Sequence, residues 1–195
     1  MEKHKNKYRN ASLRAQWWDY GNNAAYFVTI CTQDRIHYFG EIVGTELIPS
    51  PLGEIALTIW HEMPNHFPFV LLGAFMAMPN HIHGIVIIDK PVDSRLIANP
   101  QQNPQQNPQQ NPQTHVGGFA GNKNPMLNEN LSRAVRWYKG RCTFEMRKIR
   151  ADFAWQSRFH DRIIRNDAEY QRINDYIENN PAKWGNDKFS QKETI

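Results

Sequence analysis

A chain of 195 residues and 22.8 kDa can fill one good hydrophobic core, but not two generous domains with their linkers. At 40% hydrophobic and 12% aromatic it is too apolar for global disorder, and its two cysteines, Cys31 and Cys142, form no CxxC pattern, which argues against a disulfide framework or a cysteine-ligated zinc site. Lys and Arg exceed Asp and Glu by 23 to 19, and the net charge of +4 leans mildly toward polyanionic partners.

The opening residues, MEKHKNKYRN, are charged and lack the apolar segment of a secretory signal, so the expected location is the cytoplasm. Residues 1–22 read as a basic polar arm, with Lys3, Lys5, Lys7, Arg9 and Arg14 ahead of Trp17 and Trp18. One domain is expected over 23–185, followed by a polar tail at 186–195. Ala25 to Thr32 is dense in β-branched and aromatic residues, the composition of a buried strand. A hairpin should follow, Tyr38 to Val43 and Glu46 to Ile48 joined across Gly44-Thr45.

Ser50 and Pro51 suit the cap and first turn of a helix, and Leu52, Ile55, Ala56, Ile59 and Met63 recur at helical spacing, so a helix is predicted to about Pro64. Two strands come next, Phe69 to Ala77 and His81 to Ile88, with Met78-Pro79-Asn80 as the turn. The longest apolar stretch, Phe67 to Met78, is broken by Pro68 and Gly73 and falls short of a membrane span, which argues against a membrane partner.

From Asn99 the sequence repeats NPQQ, a low-complexity tract that cannot pack a core; a loop insertion is expected over 99–124. Leu127 to Ile149 returns to helical periodicity through Leu131, Ala134, Val135, Tyr138 and Cys142. This helix carries Arg133, Arg136, Lys139, Arg141, Arg147 and Lys148 against two glutamates, so positive charge concentrates there, as a solvated face or as a phosphate-contacting one. A last helix should run from Asp167 as N-cap through Tyr170, Ile173, Tyr176 and Ile177 to about Asn180, stopped by Pro181. The order of elements predicts an α+β fold with helices packed on an antiparallel sheet.

Two places could carry chemistry. In MPNHIHGIVIID, residues 78–89, alternation along a strand points His81 and His83 to one face, close enough to share a divalent ion, although an exposed or core pair has the same spacing. A His-x-His-x-His nucleotidyl transferase would need a third histidine where Ile85 stands. On the last helix Tyr176 and Asn180, four residues apart, would share a face. A phenol is a poor nucleophile until a cation stabilises charge on the group it attacks, so a metal beside a tyrosine suits transesterification. Spacing alone leaves Tyr170 as a rival to Tyr176.

The combination of AYFVTICTQ, MPNHIHGIVII, WQSRFHDRIIRN and DYIENNPAKW in this order, over most of residues 24–184, resembles the REP-associated tyrosine transposases, which belong to the single-tyrosine HUH transposases of insertion sequences. The resemblance implies a ferredoxin-like antiparallel sheet with the histidines on a central strand and the nucleophile on a helix docked beside it. It implies metal ligation by His81, His83 and Asn180, with Mg or Mn as the ion, and Tyr176 rather than Tyr170 as the nucleophile. The implied substrate is single-stranded DNA, typically beside a hairpin, cut and rejoined through a 5′-phosphotyrosine.

Arg133, Arg136, Lys139 and Arg141, with Arg158 and Arg165, would then track the DNA backbone. Trp155 and Phe159 would stack on bases, or else pin the last helix to the sheet. Relatives include monomers and dimers, so a homodimer is compatible with the resemblance. The NPQQ tract departs from the family's pattern in a region that tolerates insertion. The competing classes are a DNA-binding protein that kept the fold without turnover, and a metal-dependent phosphoesterase that uses water.

Overall fold

β-branched and aromatic residues fill Ala24–Cys31 (β1), and this strand becomes the second from one edge of a sheet covered on both faces. A computed structural model describes residues 18–91, 129–186 and 190. Most of the basic arm, the NPQQ insertion and nearly all of the polar tail lie outside the described residues. After a 3-10 turn at Gln33–Arg35 come a hairpin, Gly40–Val43 (β2) and Glu46–Pro49 (β3), and a helix, Pro51–His66 (α1). Gly44 supplies the positive φ of 65° at the hairpin tip. Ser50 Oγ caps α1 by accepting from the amides of Leu52 and Gly53, as its place before Pro51 predicts.

Val70–Met78 (β4) and His81–Ile88 (β5) follow, then helix Leu131–Met146 (α2), strand His160–Ile164 (β6), helix Asp167–Glu178 (α3) and a 3-10 turn at Pro181–Asn186. Among the described residues β4, β5, β1 and β6 form one antiparallel sheet in that order, so β5 is an inner strand. The fold is therefore α+β with helices on an antiparallel sheet, as the order of elements predicts. No helix among the described residues is long and apolar enough to cross a membrane.

Strand parity sorts the core. Tyr26, Val28 and Ile30 of β1 and Ile82, Val86 and Ile88 of β5 join α1 and α2 in one large cluster, where Trp60 lies 4.8 Å from the Phe75 ring and edge-on to Tyr138. The opposite residues, Ala25, Phe27, Ile85 and Ile87, meet Ile173 and Ile177 of α3. His81 and His83 share parity with Ile85, which sends both imidazoles to the α3 face. A slip of one residue would turn them into the large core, and the paired register Thr29↔His83 and Met76↔His83 on the two flanking strands prevents it.

Three expected boundaries move. α2 starts at Leu131, not Leu127, because the Asn130 side chain caps it by accepting from the Arg133 amide; it ends at Met146, and Ile149 is exposed in the turn beyond. Asn166, not Asp167, caps α3, accepting from Glu169 N. α3 also stops at Glu178, so Asn180 lies past the helix and shares no helical face with Tyr176. β6 is an element the sequence reading lacks: five residues on a sheet edge, three of them polar, carry too short an alternation to stand out.

Candidate active site

His81 and His83 enter from the start of β5, directly after the Pro79-Asn80 turn, and both are buried. A buried imidazole needs partners at both ring nitrogens. His81 Nδ1 lies 2.8 Å from Asn80 Oδ1, and His83 Nδ1 lies 2.9 Å from Thr29 Oγ1 across the strand pair. The Nε2 atoms of the two rings then converge to 3.0 Å. Asn80 Nδ2 donates to the Arg35 carbonyl, which turns Oδ1 toward the histidine. Since that oxygen can only accept, His81 Nδ1 carries the proton and its Nε2 presents a lone pair.

Burial, reinforced by His83 and then by Arg35 and His37, holds the His81 pKa well below its usual 6.5, so the ring is neutral near pH 7. The folded pKa lies below the unfolded one, so the unfolded chain takes up more protons once pH drops through about 6.5, and stability is lost from there downward. Thermal midpoints measured from pH 7.5 to 5 should fall with acid, and His81→Gln should flatten that slope; parallel curves for both proteins would assign the acid sensitivity to other groups.

Tyr176 reaches the pair from α3. Its hydroxyl lies 3.4 Å from His83 Nε2, its ring centroid 5.3 Å from that imidazole, and its edge meets Phe27. The side chain keeps 39% of its surface exposed, so a macromolecular substrate can reach the phenol. The rival tyrosine goes elsewhere: the Tyr170 hydroxyl abuts Gly73 on β4, so close that a Cβ there would come within 2.6 Å.

Asn180 sits in the turn after α3, between Tyr176 and Trp184, whose indole lies 5.9 Å from the His81 ring. It is 2% exposed, and its Oδ1 is buried with no hydrogen-bond partner, a costly state for an amide oxygen. Among the described residues no group of three His, Cys, Asp or Glu side chains could hold a metal. By donor type, two imidazole nitrogens with the Asn180 amide oxygen, which has no hydrogen-bond partner among the described residues, make a nitrogen–oxygen set that suits a divalent ion of intermediate to hard character. The residues therefore fit such an ion. Thr29, Asn80 and Trp184, which complete the surroundings of the histidines, were not legible in sequence, because their proximity depends on strand register and on the final turn.

No family model matches the chain. An uncharacterized protein of Haemophilus influenzae (strain Rd) is 30% identical over 187 residues, covering 91% of this chain and 91% of that protein. The chain belongs to that protein's family. Among solved structures, a REP-associated tyrosine transposase bound to a REP hairpin superposes with a TM-score of 0.55 at 18% identity, over 89% of this chain and 74% of the other. At that identity the likeness establishes a shared fold.

The basic residues fall in the α2 layer and around β6. A cleft of about 840 Å³ is lined by Arg136, Lys139, Phe144, Arg147, Gln156 and Phe159 among others, with no carboxylate in its wall. Gln156 N donates to Cys31 O, and Cys31 pairs with His81, so one end of the cleft abuts the strand end that carries the histidines.

Arg136, Arg158 and Arg165 are exposed. Lys139 is partly committed, since its Nζ donates to the carbonyls of Gln156 and Ser157 and burial lowers its pKa. Arg133 lies over the Phe67 ring, and Arg141 pairs with Glu145. Trp155 is largely buried against Phe39, Phe153 and Tyr138, and it also lines the cleft. Phe159 is half-buried against the same core.

Proposed function

We propose that the protein is a metal-dependent transposase-like enzyme that nicks and rejoins single-stranded DNA through Tyr176. The observation that carries this reading is the meeting of an accessible phenol with two converging imidazole Nε2 atoms, Tyr176 Oη lying 3.4 Å from His83 Nε2. The shared fold with a transposase that is bound to a REP hairpin supports hairpin-forming DNA as the substrate class.

His81, His83 and Asn180 would hold a Mg or Mn ion, which when bound withdraws charge from the scissile phosphate. Tyr176 Oη forms the new bond to phosphorus as the bond to the 3′ oxygen breaks. The phenol gives up its proton, and the departing oxygen gains one to become a 3′-hydroxyl. The protein is left joined to the 5′ phosphate. Because the link conserves the energy of the phosphodiester, a 3′-hydroxyl can attack it and rejoin strands without ATP. Asn80 and Thr29 hold the imidazoles in place while this happens, and Phe27 supports the phenol from its edge.

A labelled single-stranded hairpin oligonucleotide, incubated with and without Mn, should yield a covalent protein–DNA band on a denaturing gel only with the ion. Cleaved DNA without that band would replace the reading by a phosphoesterase that uses water, and retention without cleavage by a binding protein. Backbone contacts are assigned to the exposed arginines beside the cleft. Arg136→Ala and Arg158→Ala should each weaken single-strand binding several-fold and lower the salt slope by about 0.7, with unchanged melting. An unaltered slope in both would remove them from the DNA path.

A further inference from the structure

The two imidazoles are held by different kinds of partner, and the difference has chemical content. Asn80 Oδ1 accepts and cannot donate, so it fixes His81 in one tautomer, with the proton on Nδ1 and the lone pair on Nε2. Thr29 Oγ1 can do either, so the ring of His83 can carry its proton on Nδ1 or on Nε2 without leaving a buried polar atom unsatisfied. At 3.0 Å the two Nε2 atoms cannot both present lone pairs to each other unless something positive lies between them. Either His83 donates an Nε2 proton to His81, and Thr29 donates to His83 Nδ1, or a cation takes both lone pairs, and His83 Nδ1–H donates to Thr29.

We propose that Thr29 is a positioning residue whose hydroxyl, by reversing from donor to acceptor, lets His83 turn its Nε2 lone pair toward a divalent cation. This rests on the metal reading above and adds to it a residue on another strand. The site is built for the reversal. Thr29 is 6% exposed and directly opposite His83 in the β1–β5 register, so water does not readily replace the hydroxyl. A valine of the same shape would leave Nδ1 facing a methyl group. In the cation-bound arrangement that is a buried N–H without an acceptor, whereas in the other arrangement it is only a bare ring nitrogen. The loss therefore falls more heavily on cation binding than on folding. A fixed acceptor, as at His81, would forbid the cation-free arrangement, in which the hydroxyl must donate to His83 Nδ1.

The test is Mn²⁺ affinity of the full chain, measured by the loss of the free-ion EPR signal, for the parent, Thr29→Val and Thr29→Ser. The expected result is a dissociation constant raised tenfold to a hundredfold in Thr29→Val, the range for partners that orient a ligating histidine, with Thr29→Ser restored to within about threefold of the parent. Thr29→Val keeps the side-chain shape and should melt near the parent, while Thr29→Ser, which keeps the hydroxyl but loses a buried methyl, should melt slightly lower. In Zn²⁺-loaded, ¹⁵N-histidine-labelled parent, His83 should carry its proton on Nδ1. Equal Mn²⁺ binding by parent and Thr29→Val overturns the role of Thr29 while leaving the metal site standing. No Mn²⁺ binding by the parent overturns both together.

Discussion

Tyr176→Phe is expected to abolish covalent adducts with single-stranded DNA, a loss of at least about a thousandfold, while binding stays within about twofold of the parent. The asymmetry follows from the geometry. The substitution removes one oxygen, the atom 3.4 Å from His83 Nε2, and keeps the ring that packs edge-on to Phe27. Nothing that positions α3 is lost, since the helix is seated by Ile173 and Ile177. Tyr170→Phe is the matched control and should retain the adduct, because its hydroxyl lies against Gly73. Adducts persisting in Tyr176→Phe and vanishing in Tyr170→Phe would reverse the assignment.

The largest effect on stability is expected at Gly84, one residue beyond the histidine pair. A Cβ there would come within 2.3 Å of the Trp60 ring, which is itself fully buried between Phe75 and Tyr138 and has nowhere to retreat. Gly84→Ala should destabilise the protein by about 3 kcal/mol, the upper part of the overpacking range, and lower the melting temperature by roughly 6–12 °C. If the contact is the cause, the two sites couple. Trp60→Leu alone opens a cavity and is destabilising, but Gly84→Ala on that background should lose little further. Additive losses in the double variant would place the damage in the backbone of β5 instead. Mn²⁺ binding by folded Gly84→Ala should also weaken, because β5 can relieve the overlap only by shifting the strand that carries both histidines.

Much of this architecture was legible in the sequence, and the exceptions share a cause. Residues 24–31, the Ser50-Pro51 helix start and the paired strands around Pro79-Asn80 announce themselves through composition, capping chemistry and turn residues, all of them local signals. The histidine pair was legible as well, since strand parity alone puts His81 and His83 on one side. What escaped depends on partners distant in the chain. β6 exists because β1 has an open edge, and His160–Ile164 carries little strand signal of its own. The place of Asn180 follows from where α3 ends, two residues earlier than Pro181 suggests. Trp155, open in sequence to stacking on a base or pinning the last helix to the sheet, packs against Phe39, Phe153 and Tyr138 and lines the cleft beside α2. Thr29 is 54 residues from His83, and only the register of two strands makes them neighbours.

The two helical layers are unequal, and the inequality reaches the chemistry. Among the described residues, one face of the sheet carries α1 and α2 over a cluster that includes Trp60, Tyr138 and Phe153; the other carries α3 and the turn after it, over a smaller cluster built on Ile85, Ile164, Ile173 and Ile177. Release of α3 would expose the smaller of the two apolar clusters and break no strand pairing, so it should cost less than opening the other face. The imidazoles ride on a strand paired on both sides, and the phenol on the helix with the smaller apolar contact. Under the proposed reaction, Tyr176 carried this way would withdraw while joined to its phosphate and clear the space beside the histidines for an incoming strand.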